Sequence, residues 1–528
     1  MEVLADPEEA SEGYPWCSSL LVVRFDDVLG QQLVGCCGGE LSSAVQHQVK
    51  MMSMPENLQA GIAHNLVRYC FAFDRSTFCY VVFRQHRDES SRRGYSSQSV
   101  VLISSLSCIG LFYSVLEHLS DMLVDGTEIE IEQTLRVSFS HFRSWPRPRS
   151  GDKLRLPFFG TLLAYTCPSL PTYHLTGSTG LDGGLGLFVD ASIFDLVEKL
   201  GLGPHLWTLW ELVLCGRDII VVSPSAETCS TVVLTLVSLA APLAFAGDIR
   251  PYQGNTDIAM LTASSNKTAR IVGVTNPFLL RAFGSYSAAL FVPVPSSPST
   301  VDPGDVVSPV NPVKSWSLAG SLASIFYVSS TTTPPSSSLL PSPAIADSPL
   351  ARNLRVKVKI IPADLSLEAE YDRWASRSKS ATQGLLCLRA ASRLSPDPNI
   401  TRRLASISET VKDTSHVRVV SNMLLREHFR SLTLALLRPL ETVIDRSSCT
   451  IDLGDASALR EVLLALGPLR STATASKGGI ASLSMPPCLC VPGCHEIISD
   501  FADSPHFRAF FSMRQKGTSR RWSKVDPE

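Results

Sequence analysis

Apolar runs that alternate with helix-like segments dominate the middle of the chain, residues 151–292. The runs DIIVVS (218–223) and RIVGVT (270–275) are short, rich in Val and Ile, and apolar on both faces. A helical pattern fills residues 196–215 before the first run, and Ser225 is placed to cap a helix after it. Strands without a polar face that alternate with helices favour a parallel sheet covered on both sides. We therefore predict a doubly wound α/β module here.

The region before this module, residues 15–150, has the pattern of a sheet backed by a helix. Four runs in it are apolar and rich in β-branched or aromatic residues: 19–25, 66–73, 78–83 and 99–104. The second and third flank a short polar turn, which predicts a hairpin. Apolar side chains at helical spacing follow from Ile109. The sequence predicts a small α/β unit.

Ser, Pro and Thr dominate the segment after the central module, residues 293–350. Such a composition cannot bury enough apolar surface to offset the entropy lost on ordering, so we predict a disordered insertion. The acidic N-terminus, residues 1–14, is also predicted to be disordered.

The last region, residues 351–528, is predicted to be a helical module. Residues 354–360 (LRVKVKI) alternate apolar and basic side chains, which indicates an edge strand that leads into it. Residues 417–444 carry one apolar stripe at helical spacing, and Pro439 is expected to kink or divide that helix. Shorter helices are expected at 458–466 and 494–513.

The composition excludes several classes of protein. The chain has 528 residues, of which 45% are apolar and 18% charged, and this is enough to form several cores. A net charge of −2 does not favour a nucleic-acid partner. The acidic start argues against a secretory signal, and the apolar stretch 232–246 is too short to span a bilayer and fits a buried helix. We expect a cytoplasmic protein without a transmembrane segment, and any association with a membrane would be peripheral or through a partner.

Motifs for small-molecule chemistry are missing from the sequence. The Gly-rich stretch 177–186 lacks the Lys and Ser or Thr that end a phosphate-binding loop. There is no nucleophile elbow and no H-E-x-x-H motif, and His428 is expected on the solvated face of a helix. We predict no catalytic residue and no cofactor.

The cysteines are expected to be reduced. Cys79, Cys108, Cys215 and Cys229 lie within apolar runs, as buried thiols of cytosolic proteins do. Four potential zinc ligands occur close together at Cys488, Cys490, Cys494 and His495. Because no second pair of ligands follows at a suitable spacing, a surface loop is favoured here, and whether the cluster binds metal stays open.

Four arginines stand close together between two predicted strands: Arg84, Arg87, Arg92 and Arg93. One interpretation is a solvated loop. The other is an anchor for the acidic surface or acidic helix of a partner, since guanidinium groups bind carboxylates well.

Several segments carry a resemblance to a known family. They are residues 83–104 (FRQHRDESSRRGYSSQSVVLIS), 210–239 (WELVLCGRDIIVVSPSAETCSTVVLTLVSL), 271–278 (IVGVTNPF), 422–443 (NMLLREHFRSLTLALLRPLETV) and 501–511 (FADSPHFRAFF). In this order they resemble the DENN-domain guanine-nucleotide exchange factors for Rab GTPases, in particular the DENN domain-containing protein 6 group. The segments lie in all three predicted regions.

The resemblance implies an upstream longin-like module, a central doubly wound DENN module and a downstream helical module. It also implies exchange activity towards a Rab-family GTPase, bound in its GDP or nucleotide-free form between the first two modules, in endosomal membrane traffic. The family supplies no short catalytic motif. The long Ser- and Pro-rich insertion departs from the family pattern.

Two loops are candidates for the central module's share of such an interface. Binding groups of doubly wound sheets gather beyond the carboxyl ends of the strands. The loops found there are Ser223, Pro224 and Ser225, and Thr275, Asn276 and Pro277. The four arginines would supply the other wall.

Two alternatives stay open. The first is a GTPase-binding scaffold, or a GTPase-activating subunit like the folliculin branch of the same fold group, which would need an arginine that reaches the GTPase site. The second is a nucleotide-binding α/β enzyme, which the missing phosphate motif disfavours.

Overall fold

The computed structural model describes residues 15–56, 65–89, 91–124, 126–149, 151–167, 188–254, 269–281, 286–293, 355–362, 365–377, 383–411, 413–446 and 494–512. Several predicted features lie outside these residues: the N-terminal segment, the Gly-rich stretch 177–186, the Ser- and Pro-rich insertion, the helix at 458–466, and the side chains of the Cys488, Cys490, Cys494 and His495 cluster.

Five antiparallel strands form the first sheet, in the order β2–β1–β5–β4–β3. The elements of this unit are β1 (Ser19–Asp26), β2 (Gly30–Gly38), α1 (Ser43–Met52), β3 (Asn65–Ala72), β4 (Phe78–Arg87), β5 (Tyr95–Ser104), α2 (Ile109–Met122) and α3 (Glu128–Ser144). The four predicted strands and α2 are confirmed. The sequence did not reveal β2 or α1.

Both faces of the first sheet are covered, because alternate side chains of each strand point to opposite sides. Leu20 and Val22 of β1 join the core under α2 and α3. Leu21 and Val23 join a second core with Val49 of α1. This alternation fixes which face each residue near the ends of β4 and β5 occupies.

Six strands form the second sheet, in the order β12–β13–β11–β8–β10–β9. A hairpin of β6 (Lys153–Phe158) and β7 (Thr161–Thr166) precedes it. The sheet strands are β8 (Ile219–Val222), β9 (Asp248–Gln253), β10 (Arg270–Val274), β11 (Ala288–Phe291), β12 (Arg355–Ile360) and β13 (Gln383–Leu388). Strands β8 to β11 are mutually parallel where they pair, whereas β13 runs antiparallel to β11. The predicted mostly parallel sheet is confirmed.

Helices cover both sides of this sheet, as predicted. The helices are α4 (Ile193–Glu198), α5 (Leu206–Leu214), α6 (Ala226–Ser238), α7 (Leu367–Arg377), α8 (Pro398–Thr410), α9 (Thr414–Arg446) and α10 (Cys494–Ala502). Ile219 and Val221 of β8 lie in the large core shared with α5, α6, α9 and α10. Ile220 and Val222 point the other way and pack with Leu367 of α7.

Two details of the central prediction need correction. The helical pattern at 196–215 is not one helix: α4 ends at Glu198, a 3₁₀ turn spans Gly203–His205, and α5 starts at Leu206. The break follows from Gly201, which adopts a φ of +67° that a helix cannot continue. The region predicted to be helical also contains β13, which is held as a strand between β11 and β12.

The long helix α9 corrects two further expectations. Its backbone continues through Pro439 to Arg446, so the helix is not divided there. His428 does not lie on a solvated face, since Trp207 Nε1 donates a hydrogen bond of 3.0 Å to its Nε2. Trp207 and Trp210 are both buried and belong to the core.

The two sheets meet through β3, the edge strand of the first, which lies against α6 and β9. The backbone N–H of Cys70 donates a hydrogen bond of 2.8 Å to Ser230 Oγ of α6. Arg250 of β9 donates through Nη1 to the carbonyls of Ala72 at 2.7 Å and Phe73 at 3.0 Å. The mixed α/β fold is therefore built from two sheets that are joined by hydrogen bonds at β3.

Across the described residues, none of the helices combines the length and apolar character that a bilayer crossing requires.

Candidate functional site

The turn between β1 and β2 presents two apolar side chains to solvent. Val28 is 81% exposed and Leu29 is 71% exposed. Asp26 Oδ1 accepts hydrogen bonds of 2.8 Å from the backbone N–H groups of both residues, and these bonds lower the pKa of Asp26. Gly30 completes the turn with a φ of +76°, which favours glycine. The turn is thus fixed by hydrogen bonds from the backbone N–H groups of Val28 and Leu29, while the side chains of both residues stay exposed.

The arginine loop, residues 88–94, is attached to this turn. Asp27 Oδ2 accepts hydrogen bonds of 2.9 Å from Ser91 Oγ and from the backbone N–H of Arg92. Because β1 and β5 are antiparallel neighbours, the end of β1 and the start of β5 lie at the same edge of the sheet. Two loops that are far apart in sequence therefore form one surface.

Arg93 stacks on aromatic rings at this edge. Its guanidinium carbon lies 4.2 Å from the ring centroid of Phe25 and 4.6 Å from that of Tyr95. Its Nη2 also donates a hydrogen bond of 2.8 Å to the Tyr95 hydroxyl. The two rings and this hydrogen bond hold the guanidinium in place.

The other arginines divide between the two faces of the sheet. Arg84 has the strand parity of Tyr80 and Val82, on the α2 face, where it pairs with Asp121 and donates 3.1 Å to Ser120 Oγ. Arg87 has the parity of Val81 and Phe83, on the α1 face, and forms a loose pair of 3.4 Å with Glu89. Arg87 is thus more available to a partner than Arg84.

In the second sheet, the first candidate loop follows β8. Ser223 is fully buried, and Pro224 is exposed. Ser225 Oγ accepts a hydrogen bond of 3.2 Å from Thr228 N–H and caps α6, as the sequence predicts. Pro224 is therefore the member of this loop that presents most surface.

The second candidate loop follows β10. Thr275 is buried, and Asn276 Oδ1 accepts a hydrogen bond of 3.0 Å from Phe278 N–H, which starts the 3₁₀ helix Pro277–Arg281. Phe278 is 67% exposed at the tip of the loop. Asn276 thus satisfies a backbone donor in the first turn of this 3₁₀ helix.

Glu56 joins the first unit to the carboxyl ends of β9 and β10 in the second sheet. Thr275 Oγ1 donates a hydrogen bond of 3.3 Å to Glu56 Oε2, and Glu56 N–H donates 3.4 Å to the Tyr252 hydroxyl. Ser53, which lies shortly before Glu56 in the same segment, is also held in place, because Ser99 Oγ donates a hydrogen bond of 2.5 Å to its carbonyl. The loop after α1 therefore bridges β5 and the carboxyl ends of β9 and β10.

These contacts set the size of the candidate surface. Tyr95 lies four residues before Ser99 on β5, which is about 14 Å at ~3.4 Å per residue. The arginine loop and the loop of Thr275 are thus connected through β5 and the segment that contains Ser53 and Glu56. A typical protein interface buries roughly 800 Å² on each partner, and we expect one of that size to reach both loops.

Sequence reasoning missed three contributors to this surface: Val28, Leu29 and Glu56. The Asp-Asp pair before Val28 is a recognisable turn signal, and it was the one available clue to the exposed tip. Nothing in the sequence pairs Glu56 with Thr275. In the described residues no group of His, Cys, Asp or Glu side chains has the arrangement of a metal site.

A cavity of about 230 Å³ lies at the opposite edge of the second sheet. Arg393 and Arg217 pair with Asp500 at 2.7 and 2.8 Å, and Ser392 Oγ donates 3.0 Å to Glu211. These contacts connect α5, the loop after β13 and α10. Glu211, Arg217, Arg393 and Asp500 are thus engaged with one another, and Arg389 donates to the backbone carbonyl of Leu365.

Comparisons with curated proteins give consistent relatives. The chain is 30% identical over 360 residues to Protein DENND6 homolog of Dictyostelium discoideum, covering 52% of this chain and 49% of that protein. It is 29% identical over 327 residues to Protein DENND6A of Gallus gallus, covering 52% and 54%. It is 31% identical over 228 residues to Protein DENND6B of Homo sapiens, covering 41% and 38%.

The chain resembles the DENND6 proteins. This finding supports the resemblance that the sequence segments indicate. The chain spans about half the length of the curated relatives it matches. No protein-family model matches the chain.

Proposed function

We propose that this chain is a guanine-nucleotide exchange factor that promotes GDP release from a Rab-family small GTPase in endosomal membrane traffic. The observation that carries the proposal is its similarity to three DENND6 proteins, which are about 30% identical to it over long segments. The first sheet with its helices would be the longin-like module, and the six-stranded sheet would belong to the DENN module. The protein would act in the cytoplasm and be recruited to endosomal membranes.

An exchange factor of this kind needs a surface and no reacting group. It breaks no covalent bond, and it acts because it binds the nucleotide-free GTPase more tightly than the nucleotide-bound GTPase. The difference in affinity displaces the switch regions from the phosphates and the magnesium ion of the nucleotide. A wide surface with fixed loops suits this task better than an enclosed pocket.

The proposed contact surface has two parts. Arg87, Arg92 and Arg93 would meet carboxylates of the GTPase, and Pro224 with the Asn276 loop would form the opposite wall. Arg84, Ser223 and Thr275 would contribute less directly, because their side chains are engaged with or buried in the protein itself. Ser225 and Pro277 would position their loops.

A nucleotide-release screen tests this proposal. Each Rab of a panel is loaded with a fluorescent GDP analogue, and its release is followed with and without the protein. We expect faster release from one or a few members. A GTPase-binding scaffold would bind without acceleration, an activating subunit would speed hydrolysis instead, and a nucleotide-binding enzyme would itself retain labelled nucleotide. Any of these three outcomes, without accelerated release, would refute the proposal.

A further inference from the structure

The turn Asp26–Gly30 has features of a preformed apolar anchor. Val28 and Leu29 are the two most exposed large apolar side chains among the residues the structure describes. Water disfavours such exposure, and a turn of this kind needs neither side chain for its own stability. Asp26 fixes the turn through backbone N–H groups, so the apolar side chains are held outward without taking part in the fold.

The turn is rigid at its base as well as at its tip. Asp27 attaches it to the arginine loop through two hydrogen bonds of 2.9 Å. A turn whose backbone is already held in place loses little backbone entropy on binding, and this preorganisation favours affinity. Two exposed apolar side chains on a fixed turn, beside exposed arginines, have the arrangement of a small apolar interface centre with a polar rim.

The charges around the turn indicate what would bind there. The carboxylates of Asp26 and Asp27 accept hydrogen bonds from the two loops, and Glu89 pairs with Arg87. Arg92 and Arg93 are both exposed, and the guanidinium carbon of Arg93 lies 4.2 Å from the centre of the Phe25 ring. The matching surface would be an apolar pocket with carboxylates at its rim.

A lipid surface fits this turn less well than a protein pocket. Val28 and Leu29 together carry about half the carbon of one myristoyl chain, and one such chain alone gives only marginal binding. Three arginines also fall short of the basic clusters of roughly four to eight residues that bind anionic lipids.

We propose that Val28 and Leu29 form the apolar anchor of the GTPase interface and insert into an apolar pocket of the Rab, rimmed by acidic side chains. This inference rests on the proposed exchange function. In this proposal Val28 and Leu29 contribute more of the binding free energy than the arginine loop does. The apolar contact would resist salt, whereas the arginine contacts would weaken as salt rises.

The test uses the full chain and the Rab on which the wild type acts. The variant Val28→Ser/Leu29→Ser removes the anchor, and the matched control Ile129→Ser removes a 70% exposed side chain from α3 of the same unit. We expect the double variant to lose about 10- to 100-fold in affinity for the nucleotide-free GTPase at both 50 and 500 mM NaCl. The control should match the wild type, and circular dichroism should be unchanged in both.

Each other outcome has a distinct meaning. Equal affinity and release in the double variant would overturn the anchor and leave the exchange function standing. A wild type that neither binds nor accelerates any Rab would overturn both. If the double variant exchanged normally but lost binding to vesicles of phosphatidylcholine and phosphatidylserine in a flotation assay, the turn would be a lipid contact and the inference would be wrong.

Discussion

Asp27 Oδ2 lies 2.9 Å from the backbone nitrogen of Arg92 and accepts its hydrogen bond. This one carboxylate connects the turn after β1 to the loop before β5, which are 65 residues apart in sequence. The order of the arginine loop therefore depends on a residue outside it.

We expect Asp27→Ala to loosen the arginine loop without unfolding the protein. The residue is at the surface, so the loss of its hydrogen bonds should cost only about 1 kcal/mol of stability. Because the loop would be less ordered, nucleotide release from the target Rab should slow several-fold. Asp27→Asn keeps an acceptor oxygen and should be milder. Equal rates for all three proteins in a release assay would show that loop order is irrelevant.

Reversing the charge of exposed arginines tests the electrostatic part of the surface. We expect Arg87→Glu/Arg92→Glu to fold normally by circular dichroism and to bind the Rab about 10-fold more weakly at 50 mM NaCl. The difference should shrink at 500 mM, because salt screens exposed charges. Arg402→Glu/Arg403→Glu on α8 changes the charge equally at exposed positions and serves as the control. If both double variants weakened binding alike, net charge rather than this loop would be responsible.

His428 predicts a dependence of stability on pH. Burial lowers its pKa from 6.5 to about 4, and its Nε2 must stay unprotonated to accept the bond from Trp207. The unfolded chain takes up the proton near pH 6.5 and the folded chain does not. Stability is therefore complete above pH 6.5 and is lost as the pH falls towards 4.

His428→Gln can accept the same hydrogen bond through its amide oxygen and does not titrate. We expect its melting temperature to fall less than that of the wild type between pH 7.5 and pH 5, by the equivalent of about 2 kcal/mol. Other titrating groups, such as Asp190, act equally in both proteins. Parallel pH curves in differential scanning fluorimetry would show that His428 is protonated in the folded state without cost.

Deleting residues 295–349 should leave folding and exchange nearly unchanged. Strands β11 and β12 are antiparallel and flank β13, so the end of β11 and the start of β12 lie about 10 Å apart at ~4.8 Å per strand. The deletion leaves residues 292–294 and 350–354, which can span about 27 Å. We expect the melting temperature to shift by less than about 2 °C. A much larger fall would mean that the Ser- and Pro-rich segment packs on the fold.

The strands that the sequence predicted share a local signal. The runs of β1, β8 and β10 are apolar and β-branched, so each predicts a strand whatever its neighbours are. In contrast, β2 (GQQLVGCCG) and β13 (QGLLCL) carry weak or helix-compatible residues. Strand β2 forms because it pairs with β1, and β13 forms because it pairs with β11 and β12. Both pairings are non-local.

The candidate surface also has features that the local sequence predicts and contacts that depend on the tertiary structure. The capping roles of Ser225 and Asn276 follow from local chemistry and were predictable. The contact of Asp27 with Arg92 and that of Glu56 with Thr275 depend on tertiary structure. The odd spacing of Arg84 and Arg87 on β4 places them on opposite faces of the sheet, but which helix covers each face depends on the tertiary structure.

The most direct test of the account compares affinities for one Rab in different nucleotide states. The equilibrium dissociation constant of the complex is measured with the GTPase nucleotide-free, GDP-bound and bound to a non-hydrolysable GTP analogue. We predict at least about 100-fold tighter binding to the nucleotide-free form, because exchange and this affinity difference are thermodynamically linked. Equal affinities for all three states, or tightest binding to the GTP form, would contradict an exchange function.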